Sequence, residues 1–512
     1  MKQRIAQLEE EMKDRAGADG GDNATKLAAA THEIASPEGK AGGASVALMP
    51  SSTESASPEL PAIDAEVTTK SAPFGYADWS WLNGNARTKD TPLATKYFAP
   101  EFRADVNYIL DFNHPKDDSM GGSTESFRSD EVQIEQLSFG GDLRVNNVRG
   151  RFLTMYGMFA TTTPRNDASP SRGQWDLADA YRYVSEAWGG YHWNVQHGLN
   201  VDAGIFVSYI GLFSYYNFDN WSYQPSFVSS NTPWFFNGVR VQWFPTDKLK
   251  IEPWFINGWQ SYGRPNGKPG LGGQILYRPK QWMSLVFNNY GLGEDAVGIP
   301  NRSRLHTDDS IQVKYYDRPD RYLDKAAFTF TADAGCEFGG GVSCTGKGGN
   351  PKQSFLGYMV YNRLWFNKDR YGLTVGGGQM NNPGRYLVLL PPINGATAST
   401  GTPYYTENPG QQYHAYDTTA TFDYMPNQFI TFRTEMGYRH TDQPYWSGKG
   451  GITPPGGNNG SPGSYTCASG ATAGTNVLAT AEVNCGGGVS SLWFPDLRTG
   501  QFAATAAILV KF

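Results

Sequence analysis

Between Glu101 and Phe112, the residues Phe102, Ala104, Val106, Tyr108, Leu110 and Phe112 alternate with Arg103, Asp105, Asn107 and Asp111. A period of two sends successive side chains to opposite faces of an extended strand, so this segment predicts one apolar and one polar face. The plan recurs at 132–145, 148–160, 180–193, 199–210, 234–244, 249–259, 271–277, 282–290, 308–316, 322–333, 354–366, 371–380, 413–424, 429–439 and 499–512, sixteen segments with the first. No apolar run approaches the roughly 18 residues of a transmembrane helix. A membrane β-barrel needs only about 9–11 alternating residues per strand.

The connections separate a barrel from a sandwich. Every second one is short and turn-forming: 146–147, 194–198, 245–248, 278–281, 317–320, 367–370 and 425–428. Those between them, 113–131, 161–179, 211–233, 291–307, 334–353, 381–412 and 440–498, are long, polar and rich in Gly and Pro. Short turns at one end and long loops at the other are the arrangement of outer-membrane barrels. Tyr191 and Trp193, Trp243 and Phe244, Tyr277 and Trp282, Tyr315 and Tyr322, Trp365 and Tyr371, and Tyr424 and Phe429 flank six of the seven short turns. Such a row predicts an aromatic girdle at the periplasmic interface, with Phe512 at the same level. An unpaired strand edge in lipid leaves backbone groups unsatisfied, so the last strand, ending on Phe512, is predicted to close against the first.

The expected fold is therefore all-β: a closed antiparallel transmembrane β-barrel of about 16 strands over 101–512, preceded by a short N-terminal helix and flexible linker. In residues 1–16, Ile5, Leu8, Met12 and the polar Arg15 follow a/d spacing for two heptads, which suggests a short helix or coiled coil. Residues 17–72 are a linker rich in Ala, Gly, Ser, Thr and Pro, and 73–100 are a periplasmic lead-in. The opening "MKQRIAQLEEEMKDR" has no apolar signal-peptide core, so the sequence is read as a mature form or one with a truncated start.

Composition fits this picture. Aromatics make up 14% and charged residues 18%, with 60 Gly and 31 Pro, at a mean hydropathy of −0.50. The net charge of −6 and the lack of a basic stripe give no reason to expect nucleic acid. Cys336 and Cys344 share one long loop, and Cys467 and Cys485 share another, so local disulfides are the expected pairing and both loops are expected to be external. The spacings do not suit a metal site, and no cofactor is expected. Neither HExxH nor a phosphate loop nor a nucleophile elbow is present, so an enzyme is not expected. "HTDD" at 306–309 is read as a solvated loop, the sharper alternative being a divalent cation held by Asp308 and Asp309.

The polar strand faces carry both signs: Arg103, Arg149, Arg151, Arg182, Arg240 and Arg433 beside Asp105, Asp111, Glu186, Glu252 and Glu435. A mixed lining suits a water-filled lumen without sharp ion selectivity. The third long connection, "GLFSYYNFDNWSYQPSFVSSNTP", is unusually aromatic for a solvent loop and should be buried. Tyr215, Tyr216, Asp219, Trp221 and Tyr223 are its constriction candidates, either as an aromatic rim around a small solute or as rings that pin the loop to the wall.

The stretches "WSWLNGN", "FRADVNYILDFNHPKDD", "GGSTESFRSDEVQIEQLSFGGDLR", "EAWGGYHW" and "IEPWFINGWQSYGRPNG" resemble the OmpL-like family of outer-membrane β-barrel porins, over residues 74–512 and most strongly between 100 and 295. The resemblance implies a bacterial outer-membrane channel, and it supplies the expectation that the third long loop folds inward. Phe512 likewise resembles the terminal aromatic by which outer-membrane proteins are recognised for assembly. The function expected is passive diffusion of small hydrophilic solutes or ions. A channel preferring sugars or anions, and a structural or tethering barrel without transport, stay open as alternatives. Outer-membrane lipid, the permeating solutes and a homotrimer are the partners expected.

Overall fold

The computed structural model describes residues 71–512 except 116–117, 119, 121–125, 166, 168, 170–173, 266, 292, 294–300, 384–385, 387–411, 443–445, 447, 450–465, 468–472, 476–477, 488–491 and 494–497. The helix expected over 1–16 and the linker expected over 17–72 lie outside the described residues, except for Ser71 and Ala72.

Sixteen strands close a barrel: β1 (Phe98–Asp111), β2 (Val132–Val145), β3 (Val148–Thr154), β4 (Val184–Trp193), β5 (Leu199–Val207), β6 (Phe235–Thr246), β7 (Leu249–Ile256), β8 (Gly270–Lys280), β9 (Met283–Gly291), β10 (Ser303–Asp317), β11 (Leu323–Phe338), β12 (Ser354–Phe366), β13 (Tyr371–Asn382), β14 (Tyr413–Asn427), β15 (Ile430–Thr441) and β16 (Gly500–Lys511). Each strand pairs antiparallel with its neighbours in sequence, and β16 pairs with β1 from Arg103 opposite Lys511 to Asp111 opposite Ala503. Beyond that ladder, Phe512 N donates to Phe102 O at 3.0 Å, and the Phe512 ring lies 5.9 Å from Phe102 and 5.4 Å from Phe429. Closure leaves no unpaired edge, as lipid requires.

Burial follows the alternation. In β1, Arg103, Asp105, Asn107, Ile109 and Asp111 are buried, whereas Phe102 and Tyr108 are exposed. The outer surface is thus apolar and the polar residues point inward. Most of the aromatics beside the short turns are exposed as a girdle requires, among them Tyr191, Trp193, Trp243, Tyr277, Trp282 and Tyr322. Phe244 and Trp365 are exceptions: both are buried inside, in one cluster with Phe74, Trp79 and Trp81.

Strand ends at the short turns agree with the pattern, and those at the long loops move. The segment expected as a strand over 148–160 stops at Thr154, and Phe159–Arg165 is a short helix. Met155, Phe159 and Ala160 continue the apolar character because they pack on Tyr215, Trp234 and Tyr262. In the opposite sense, β10 begins at Ser303 and takes in His306–Asp309, so "HTDD" is a strand segment and not a solvated loop.

Candidate functional site

The connection between β5 and β6 enters the barrel. Residues Tyr209 to Trp234 are buried almost throughout, in contact with the inner wall. Two residues explain how a loop backbone comes so close. Gly378 on β13 faces Ser226, where a Cβ would lie 2.3 Å from its Oγ. Gly84, in the segment before β1, faces the loop itself, where a Cβ would lie 2.3 Å from Asn220 O.

Charged wall residues hold the loop. Asp219 accepts from Arg103 Nη1 at 2.7 Å and from Lys511 Nζ at 3.1 Å. Burial pushes the Asp219 carboxyl up, and these two cations outweigh it and hold the group below its ordinary range. Asp105 accepts from Asn217 Nδ2 at 2.7 Å and from the Tyr223 hydroxyl at 3.0 Å. Glu435 accepts the backbone N–H of Tyr223 at 2.5 Å and of Gln224 at 2.7 Å. Arg433 donates to the carbonyls of Asn217, Asn220 and Ser222 at 2.9, 2.7 and 3.0 Å. Apart from a 3-10 turn at Asn217–Asp219 and a short helix at Phe227–Ser230 the loop is irregular, and side chains of the wall take up backbone groups that it leaves unpaired.

The other predicted wall residues form several smaller sets. Arg151 engages Glu101, Asp142 and Glu186 at 2.8, 2.8 and 2.9 Å, and Glu101 also pairs with Arg103. Arg240 and Arg149 share Asp202 at 3.1 and 3.3 Å and lie over the Trp188 ring, 4.8 and 4.9 Å from its centroid. Glu252 pairs with Lys250 at 2.7 Å, and Asp111 accepts from Gln501 Nε2 at 2.7 Å. Arg182 is different: it precedes β4, is only half-buried, and pairs with the exposed Asp179 at 3.4 Å, so it is not part of the strand wall.

The aromatic candidates are in the lumen and buried. Tyr215 and Tyr216 bond Ser185 Oγ at 2.8 and 2.5 Å, the Arg103 guanidinium lies 4.3 Å from the Tyr216 centroid, and Trp221 meets Trp365 edge-on at 5.5 Å. All four rings, counting Tyr223, have exposures of 2% or less and pack against the wall or within the loop.

Sequence reasoning missed two parts of the site. The first is Arg363, which donates to Trp221 O at 3.1 Å and Gly84 O at 2.7 Å and pairs at 2.7 Å with Asp423, itself 2.7 Å from Arg433 Nε. Alternation alone places Arg363 and Asp423 on the polar faces of β12 and β14, so that signal was available. The second is the segment expected as a periplasmic lead-in. Phe74, Trp79, Trp81 and Leu82 are instead buried against inward-facing residues of the wall. Arg278 lies 5.0 Å from the Phe74 centroid and 4.6 Å from that of Trp79, Asn85 Nδ2 donates to Thr431 Oγ1 at 3.2 Å, and Gly84 N donates to Asp219 O at 2.8 Å. Loop and segment meet inside the barrel.

A family model described as "Putative beta-barrel porin-2, OmpL-like" matches residues 103–474. Among solved structures, OmpT of Vibrio cholerae aligns at 10% identity and a TM-score of 0.42, covering 82% of this chain and 99% of its own. An anion-selective porin from Comamonas acidovorans aligns at 10% identity and a TM-score of 0.43, covering 81% and 99%. The outer membrane channel DcaP of Acinetobacter baumannii aligns at 11% identity and a TM-score of 0.41, covering 82% and 99%. No curated protein sequence matches.

Proposed function

The chain belongs to the OmpL-like β-barrel porin family, a porin of the bacterial outer membrane, and from that premise we propose that it passes small hydrophilic solutes or ions by passive diffusion. The observation that carries the proposal is the inward turning of charge in a closed barrel: Arg103, Arg151, Arg240 and Arg433 with their carboxylates all point to the lumen. A barrel kept only as a membrane tether has no use for so many desolvated ions, which cost stability relative to apolar packing.

The passage is narrow. The 209–234 loop and the 74–86 segment occupy the lumen together and tie one arc of the wall, from Arg103 on β1 and Lys511 on β16 through Arg433 on β15 to Arg363 on β12. Solutes therefore move around a packed insert, which favours small ones. No catalytic role is part of this reading. A homotrimer is, on the strength of the heptad spacing near the N-terminus, and the mass of the complex in detergent tests it.

Liposome swelling with sugars of increasing size tests the diffusion reading. Uptake that falls steadily with solute size supports it. Uptake of one sugar class regardless of size would favour a substrate-preferring channel, and no uptake of any solute would favour the structural barrel.

A further inference from the structure

The inner face of β9, β10 and β11 brings two buried acids together. Register puts Asn288, Asp308 and Asp333 side by side on one rung, Asp308 directly opposite Asp333. All three are buried, with exposures of 1% or less. Asn288 is the donor beside Asp308, but neither Asp308 oxygen nor Asn288 Nδ2 completes a hydrogen bond of good geometry. Asp333 Oδ1 lies 2.8 Å from His306 Nε2, outside hydrogen-bond geometry, and His306 Nδ1 bonds the Tyr386 hydroxyl at 2.9 Å. Arg304, the next cation along the same face, is engaged by Glu337 at 2.6 Å. Everywhere else in the lumen described above, acids meet guanidinium, ammonium or amide donors.

We propose that this rung is a subsite for a small monovalent cation, held between the Asp308 and Asp333 carboxylates. The inference rests on the porin reading and deepens it by giving the channel a preferred ion. Like charges directly opposite on paired strands repel, and buried acids without donors are costly, so a cation between them removes both penalties. Asp309 does not contribute: it faces outward and accepts from Thr307 Oγ1 at 3.1 Å. This divides the "HTDD" pair between the two faces of the wall, so the two acids cannot share an ion.

The subsite suits passage better than residence. Among the described residues no group of three or more His, Cys, Asp or Glu is arranged to hold a metal ion, which argues against a divalent centre. Moving along β10 by two residues reaches Ser310, bonded to Thr331 Oγ1 at 2.8 Å, and by four reaches Gln312 opposite Thr329. Gln312 Oε1 and Thr329 Oγ1 are buried and also lack partners. A cation leaving the acids thus meets neutral oxygens over about 13 Å of strand. Conduction needs such sites, attractive enough to enter and weak enough to leave.

The test uses the full chain and the isosteric double variant Asp308→Asn/Asp333→Asn, with the outward-facing Asp309→Asn as the control acid. Reversal potentials in a KCl gradient should show cation preference for wild type and for Asp309→Asn, and its loss in the double variant. Equal selectivity in all three, or an equal loss in the control, would overturn the subsite while leaving the porin reading intact. A second readout needs no current. Thermal unfolding in KCl against N-methylglucamine chloride at equal ionic strength should show stabilisation by K⁺ that the double variant lacks. K⁺ stabilisation in a silent wild-type barrel would sink the porin reading and keep the subsite; the same unfolding temperature in both salts would overturn the subsite.

Discussion

The backbone N–H of Gly84 donates to the carbonyl of Asp219 at 2.8 Å, so a residue ahead of the first strand is fastened to the middle of the loop that fills the lumen. A Cβ on Gly84 would sit 2.3 Å from Asn220 O and 2.5 Å from Phe218 O, both backbone atoms that cannot move aside. Gly84→Val should therefore displace the 74–86 segment at a cost of about 1–3 kcal/mol, the usual range for overpacking. With part of the insert gone from the lumen, single-channel conductance should rise. Unchanged conductance would show that the segment lies away from the ion path.

Asp219 is the only formal charge in the 211–233 loop, and it is compensated. Because it balances Arg103 and Lys511, Asp219→Asn should leave excess positive charge inside the lumen and shift selectivity toward anions. Reversal potential in a salt gradient checks this. Unchanged selectivity would place the Asp219 pairs outside the ion path.

The same group gives a pH dependence. Its folded pKa lies below the ordinary carboxylate value, so its contribution is complete above that value and is lost as pH falls through the lower, folded one. The loop should thus stay docked at mildly acid pH and loosen only in stronger acid. Conductance recorded on lowering the pH should step upward below the usual carboxylate range, and a step near pH 6 would point to another group.

Arg363 and Arg433 both depend on Asp423, and all three side chains are 0% exposed. Asp423→Asn leaves two buried guanidiniums short of their counter-ion and should cost about 3–5 kcal/mol. A lower unfolding temperature in detergent is the expected result. Asp423→Asn together with Arg363→Met should recover part of the loss.

Cys336 pairs with Cys344 and Cys467 with Cys485, the local pairing expected from sequence, although Cys336 lies near the end of β11 and not in the loop where the sequence placed it. Peptide mapping without reductant should find these two pairs and no cross-pairing. Each closes a short loop worth about 3 kcal/mol in unfolded-chain entropy. Reduction should leave the barrel ladder intact, since neither bond joins non-adjacent strands.

The sequence was legible wherever one physical cause acted alone. Lipid outside and polar groups inside impose alternation, so β14, expected over 413–424, alternates without a break from Tyr413 to Met425. The pattern misleads where two causes overlap. Met155 and Phe159 read as strand because they are apolar, but a loop cluster and not lipid is what they pack against. The same holds for Phe244 and Trp365, which look like girdle residues and face inward onto the 74–86 segment. Of the site, the acids and bases on the polar faces were readable one by one. Their partners were not, because Asp219 meets Arg103 across 116 positions and Gly84 meets Arg363 across 279.

The central claim is that this barrel conducts around a packed insert. Purified protein in a planar bilayer tests it most directly, with wild type compared with a variant whose 209–234 loop is shortened. Small, stable current steps are expected for wild type and larger ones for the shortened loop. A folded barrel that passes no current in either form would contradict it.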